Sequence, residues 1–133
     1  MRIMFVTRLR VASFVVCFFL ISCASDIHRI NTEFKSATGE SGRIIILSDN
    51  TEVSPNNGYP RILKANSKWK FVGQIPQGFV LAIQDDVFML EAKHMHQAHL
   101  VLAPGNRLVG FFLPVEQAFV PISPSIPLSV KIQ

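Results

Sequence analysis

Three histidines, His94, His96 and His99, crowd one short stretch of the chain, and imidazoles at such density are the first candidates for a metal centre or a general base. On an extended strand His94 and His96 project to one face and His99 to the other. On a helix His96 and His99 align and His94 does not. Glu91 could join them, yet no zincin-type spacing is present. The stretch therefore reads as the polar entry to a strand. Asp85 and Asp86 are the only paired carboxylates; neighbours on a strand point to opposite faces and cannot flank one scissile bond as a glycosidase pair does, so they read as turn residues. No nucleophile-elbow sequence and no glycine-rich phosphate cradle occurs. Arg61, Lys64, Lys68 and Lys70 around Trp69 imitate a nucleic-acid face but read better as one wet strand face. The expectation is a protein with no catalytic residues, no metal, no cofactor and no nucleic-acid partner, not an enzyme.

What must position any remaining chemistry is decided first at the N-terminus. Arg2, Arg8 and Arg10 precede Val11 to Ser22, an apolar run broken only by Ser13 and Ser22. A basic start, a short apolar stretch and a small residue before the cut are the parts of an export signal; the run is too short for a spanning helix of roughly 20 residues. The sequence Leu20-Ile21-Ser22-Cys23 resembles the lipobox of bacterial lipoproteins. That resemblance implies cleavage between Ser22 and Cys23, diacylglycerol on the Cys23 sulfur and a further acyl chain on its new amino group. Cys17 is a poor rival because Val16 before it is bulky. Burial contributes roughly 0.8 kcal/mol per CH₂, so two or more chains anchor stably. Ala24, in the position where aspartate retains such proteins at the inner membrane, implies delivery to the outer membrane, facing the periplasm.

Composition agrees with that address. The formal charge of +4 comes from 13 basic and 9 acidic residues; three of the basic ones leave with the signal, and a nearly neutral chain gives no long-range steering. Of the 2 cysteines, Cys17 is discarded and Cys23 takes lipid, so no disulfide forms and stability must come from burial and backbone pairing.

The organisation expected is a signal peptide over residues 1–22, a lipidated cysteine with a polar tether over 23–42, and a globular domain over 43–133. As a flexible coil the tether spans about 25 Å; Ile27, Ile30 and Phe34 also have the spacing of an amphipathic turn or docking peptide. Within the domain, Arg43 to Leu47, Lys68 to Val72, Gln97 to Leu102, Arg107 to Leu113, Ala118 to Ile122 and Leu128 to Ile132 read as strands. Phe79 to Gln84 and Val87 to Glu91 read as a hairpin around Asp85-Asp86. The fold class is mainly β: a small antiparallel β-barrel or β-sandwich behind an N-terminal signal helix and a flexible tether, with no confident helix in the mature chain.

Apolar surface is in excess. Phe111 and Phe112 fall on opposite faces of a regular strand, and a single thin sheet cannot bury both. Either the sheet closes on itself or one face meets a partner. Trp69, Phe111, Phe112 and Phe119 are candidates for that face. Pro121, Pro124 and Pro127 share a side if the segment is polyproline II; as an extended edge they would block further pairing. The function expected is an accessory or structural subunit of an envelope assembly such as a secretion or conjugation system, or alternatively a periplasmic ligand-binding or enzyme-inhibitor barrel. Lipoprotein inhibitors of lysozyme are similar in size and β content, though this chain lacks their disulfide.

Overall fold

The computed structural model describes residues 26–37 and 42–133; the signal, Ser22, Cys23 and residues 38–41 of the expected tether lie outside the described residues. Two short strands come first, β1 (Ile30–Asn31) and β2 (Lys35–Ser36). Eleven more follow: β3 (Ile44–Leu47), β4 (Thr51–Val53), β5 (Arg61–Leu63), β6 (Lys68–Ile75), β7 (Gly78–Ile83), β8 (Met89–Glu91), β9 (Met95–Gln97), β10 (His99–Ala103), β11 (Arg107–Leu113), β12 (Ala118–Pro127) and β13 (Val130–Ile132). No helix occurs among the described residues. The fold is mainly β and antiparallel, as the alternation and turn spacing predict.

The principal sheet runs β1-β12-β11-β10-β7-β6-β3-β13, with β2 attached to β6. Its β13 edge is reached directly from β12, the strand next to the β1 edge, because only Leu128 and Ser129 separate the two. Those residues bond to both sides: Leu128 N–H donates to the Asn106 carbonyl at 3.0 Å, and Ser129 accepts from Ser48 N–H at 2.9 Å. The sheet therefore rolls up, with its seam bridged by continuous chain rather than by a ladder between two separate strands.

Rolling separates two apolar cores. The inner one gathers residues at alternate strand positions, among them Ile45, Leu47, Trp69, Leu81, Leu100, Leu102, Phe111 and Val120. Trp69 is buried there, edge-on to Phe88, and its Nε1–H donates to Ser67 Oγ at 2.9 Å. The second core lies on the outer face: Ile75, Val80, Val101, Phe112 and Phe119, covered by Phe34, Val72 and Val109. Phe111 and Phe112 thus do fall on opposite faces, and each face finds its own cover.

The cover of the outer face corrects the tether expectation. Residues 26–37 are docked along the roll rather than free of it. Ile30 and Asn31 pair with Phe119 and Ala118, Lys35 and Ser36 pair with Gln74 and Gly73, and Phe34 stacks on Phe112 with ring centroids 5.0 Å apart. Ile27 is buried in the inner core. Only a glycine fits beneath this crossing, since a Cβ on Gly73 would collide with the Lys35 carbonyl and sit 2.5 Å from the Phe34 ring. The expected hairpin of Phe79–Gln84 with Val87–Glu91 does not form: β7 already spends both edges on β6 and β10, so β8 pairs with β9 instead.

Candidate functional site

One mouth of the roll stays open. Ile45 on β3, Phe71 on β6, Phe79 and Leu81 on β7 and Leu102 on β10 line a cavity of about 680 Å³, with Arg43 and the turn Ala103 to Asn106 at its rim. The registers explain the convergence. Leu81 faces Phe71 across β6–β7, Leu102 faces Phe79 across β10–β7, and paired residues share a face of an antiparallel sheet. Phe71 and Phe79 meet edge-to-face at 5.9 Å. Phe79 is 45% exposed, a large ring left facing the opening. The β10–β11 turn bounding the mouth closes through consecutive left-handed residues, Gly105 and Asn106, which suit the twist of a tight hairpin.

The lining holds one ionisable side chain, the Arg43 guanidinium. It offers no carboxylate, imidazole or nucleophile, so what it can do is bind: an apolar body against aromatic and branched walls, with an acceptor group turned to Arg43 or the turn backbone.

The second constellation sits at the other end of the β10–β11 hairpin. His96 on β9 is buried, and both of its ring nitrogens face carboxylates: Nδ1 lies 2.6 Å from Glu116 Oε2 and Nε2 lies 2.9 Å from Asp26 Oδ2. Carboxylates only accept, so both contacts are hydrogen bonds when each ring nitrogen carries its proton. Asp26 also accepts from His94 N–H at 3.3 Å and pairs with Arg29 at 3.4 Å. Burial pushes the Asp26 carboxyl upward, but the Ile27 N–H, the His96 ring, the His94 N–H and the imidazolium charge outweigh it and hold the pKa down to about 2. Glu116 Oε1 is buried with no partner among the described residues. The arrangement orients an imidazole between two acids but places no hydroxyl or thiol on it. It is a clasp, fastening Asp26 to an element far along the chain.

The other predicted residues distribute as follows. His99 leaves the histidine group: its ring faces Phe112 at 6.3 Å, its Nδ1 is buried and unpartnered, and burial pushes its pKa below the ordinary value despite a backbone bond to Ala98. His94 lies 6.4 Å from the His96 ring. No group of three or more His, Cys, Asp or Glu among the described residues is arranged to hold a metal ion. Trp69, Phe111, Phe112 and Phe119 are between 0% and 6% exposed, which corrects their reading as a partner surface: they are core. Pro121 and Pro127 belong to the β12 ladder, opposite Gly110 and Arg107, and the register breaks between them where Pro124 lies. They form a bulged strand and not a polyproline face. Asp85 occupies a left-handed turn position. Arg61 lies over the Phe88 ring at 5.2 Å, and the buried Trp69 leaves no aromatic interleaved with Lys68 and Lys70.

Strand alternation already puts Phe79 and Leu81 on one face, but no motif in the sequence marks Phe79 or Arg43 as site residues. Nothing local marks Asp26 or Glu116. Searches against protein-family models, curated proteins and solved structures find no match for this chain.

Proposed function

We propose that this protein is a lipid-anchored protein of the outer membrane, held through Cys23 and facing the periplasm, whose β-roll binds a small apolar ligand bearing an anionic or other acceptor group. The open cavity carries this reading: its size falls within the range of small-molecule sites, its walls are apolar, and its one charge is cationic and at the rim. A lining without acid, base or nucleophile favours binding over catalysis.

The test uses the acyl-free chain (Cys23→Ser, signal removed), because detergent would compete for the cavity. Titration with medium-chain fatty acids and the matching alcohols, followed by calorimetry, should give saturable binding to both, tighter for the acids. Arg43→Gln should erase the difference and Phe79→Asp should abolish binding. Absence of saturable binding would refute the ligand reading. The accessory-subunit reading loses its aromatic face but retains Tyr59, Ile62 and Val87, each at least 51% exposed; co-purification of a stoichiometric envelope protein, lost on Ile62→Asp, would favour it.

A further inference from the structure

We propose that the clasp end of the roll is seated directly on the bilayer that holds Cys23, with Met95 and Val115 in the headgroup layer and the cavity mouth held on the far side, open to the aqueous compartment. The proposal rests on the lipid-anchor reading of Cys23 and goes beyond it, since an anchor alone says nothing of height or orientation.

Chain length sets the height of the roll above the bilayer. Asp26 is fixed to His96, and Ile27 behind it is buried in the inner core. From there to Ala37 the segment is tied to the roll, first by the β1 ladder, then by the Phe34 stack, then by β2 and the bond from Ala37 N–H to the Val72 carbonyl. The slack that a tether would give is therefore taken up. Between Cys23 and Asp26 lie three Cα-to-Cα steps of about 3.8 Å, at most about 11 Å. The headgroup layer of one leaflet accounts for roughly half of that, from a core of ~30 Å within a total of ~40–45 Å. Asp26 must then lie at the headgroup surface, not about 25 Å away as on a free coil of the whole segment.

What surrounds Asp26 suits that position. Val115, next to Glu116, is 77% exposed, and Met95, next to His96, is 53% exposed. Arg29 and Lys93 are exposed beside them, with His28, His94 and Glu91, and the clasp carboxylates Asp26 and Glu116 are part-exposed at 22% and 23%. Apolar tips flanked by long cationic side chains are what an interfacial surface presents to lipid; the mixed charge means that the covalent anchor, not electrostatic attraction, sets the orientation. The cavity lies away from this end. β11 has 7 residues and rises about 3.4 Å per residue, which puts the rim turn at Pro104 to Asn106 roughly 20 Å from the loop carrying Val115 and Glu116.

The full chain, expressed with its own signal in a bacterium that acylates lipoproteins, is purified and reconstituted into phosphatidylethanolamine–phosphatidylglycerol vesicles. With Cys23 acylated, Val115→Cys or Asn106→Cys supplies one free thiol for a fluorophore, read against lipids carrying a headgroup nitroxide. Quenching several-fold stronger at position 115 than at 106 is expected. Asp26→Asn combined with Ile27→Ser should reduce it at 115, as the segment pays out. Equal quenching at both positions, or stronger quenching at 106, on protein that floats with the vesicles and carries acyl mass, overturns the seat while leaving the anchor intact. Protein that carries no acyl mass and does not float overturns the anchor reading, and the seat with it.

Discussion

A single methyl group should pry the N-terminal segment off the roll. Gly73 lies on β6 under the crossing of Phe34 and Lys35, and a Cβ there would meet the Lys35 carbonyl and lie 2.5 and 2.7 Å from two Phe34 ring atoms. Neither neighbour yields cheaply: the carbonyl belongs to a ladder with Gln74 and the ring is stacked on Phe112. Gly73→Ala should be relieved by lifting residues 33–37. A fully buried Phe→Ala change costs about 3–5 kcal/mol; Phe34 is half-buried, so losing its contacts costs about 2 kcal/mol. A lost backbone hydrogen bond adds about 1 kcal/mol net, bringing the expected destabilisation to about 3 kcal/mol. Phe34→Ala alone should cost about 2 kcal/mol. The double variant should stay near 3 kcal/mol rather than reach about 5, because a segment already lifted has nothing more to lose. Urea unfolding of the acyl-free chain measures the three values, and trypsin cleavage at Arg29 and Lys35, read by mass spectrometry, should accelerate in step. Gly73→Ala within about 0.5 kcal/mol of wild type, or strict additivity, would refute the docked segment.

Other expectations follow from the same contacts. Asp26 titrates near 2 when folded against 3.8 in a free chain, so the unfolded chain binds the extra proton between those values. Its contribution, at most about 2 kcal/mol at 1.36 kcal/mol per unit and about 1 kcal/mol once solvent screening of this part-exposed carboxyl is allowed for, is nearly complete above pH 4 and is lost as pH falls through 2; Asp26→Asn should cost about 1 kcal/mol at pH 7 and progressively less towards pH 2, by urea unfolding at each pH. His99 is held below its ordinary value by burial, so stability falls as pH drops below 6.5; His99→Leu should flatten that slope while changing stability at pH 7.5 by less than about 1 kcal/mol. Trp69→Phe removes a buried ring with a bond to Ser67 and should cost about 1–3 kcal/mol, measured by thermal unfolding; a cost under about 0.3 kcal/mol would mean that the ring is not packed in the core.

Much of the sheet is legible in the residues. Arg107 to Leu113 lies between two good turns and becomes β11 unchanged; Trp69 and Phe71 flanked by Lys68 and Lys70 announce β6. Phe111 beside Phe112 even states that both faces need a cover. What the residues do not state is the cover's identity, because Asp26 to Ala37 is polar enough to pass for a linker. Phe34 acquires meaning only against the outer surface of β6, β11 and β12, while Ile27 turns into the inner core and Ile30 stays 47% exposed. The clasp is harder still: Asp26, His96 and Glu116 meet across 70 and 20 residues of chain, with no periodicity to join them. Strand partner choice is not local either. Two matched apolar runs around Asp85-Asp86 read as a hairpin although no glycine supports the turn, and the pairing is lost because β6 and β10 occupy both edges of β7.

The shared path of β12 and β13 has a consequence for how the molecule is made. Val130 pairs with Leu47, so β3 must wait for the much later β13 before its outer edge is satisfied. A chain threading out N-terminus first exists for a time as an unsealed trough, its greasy concave side wetted and both margins open to foreign strands. Long-separation pairings of this kind slow folding. Losing β13 to a protease or a premature stop would leave that trough permanently unsealed, and aggregation rather than a weakened monomer is the fate to look for.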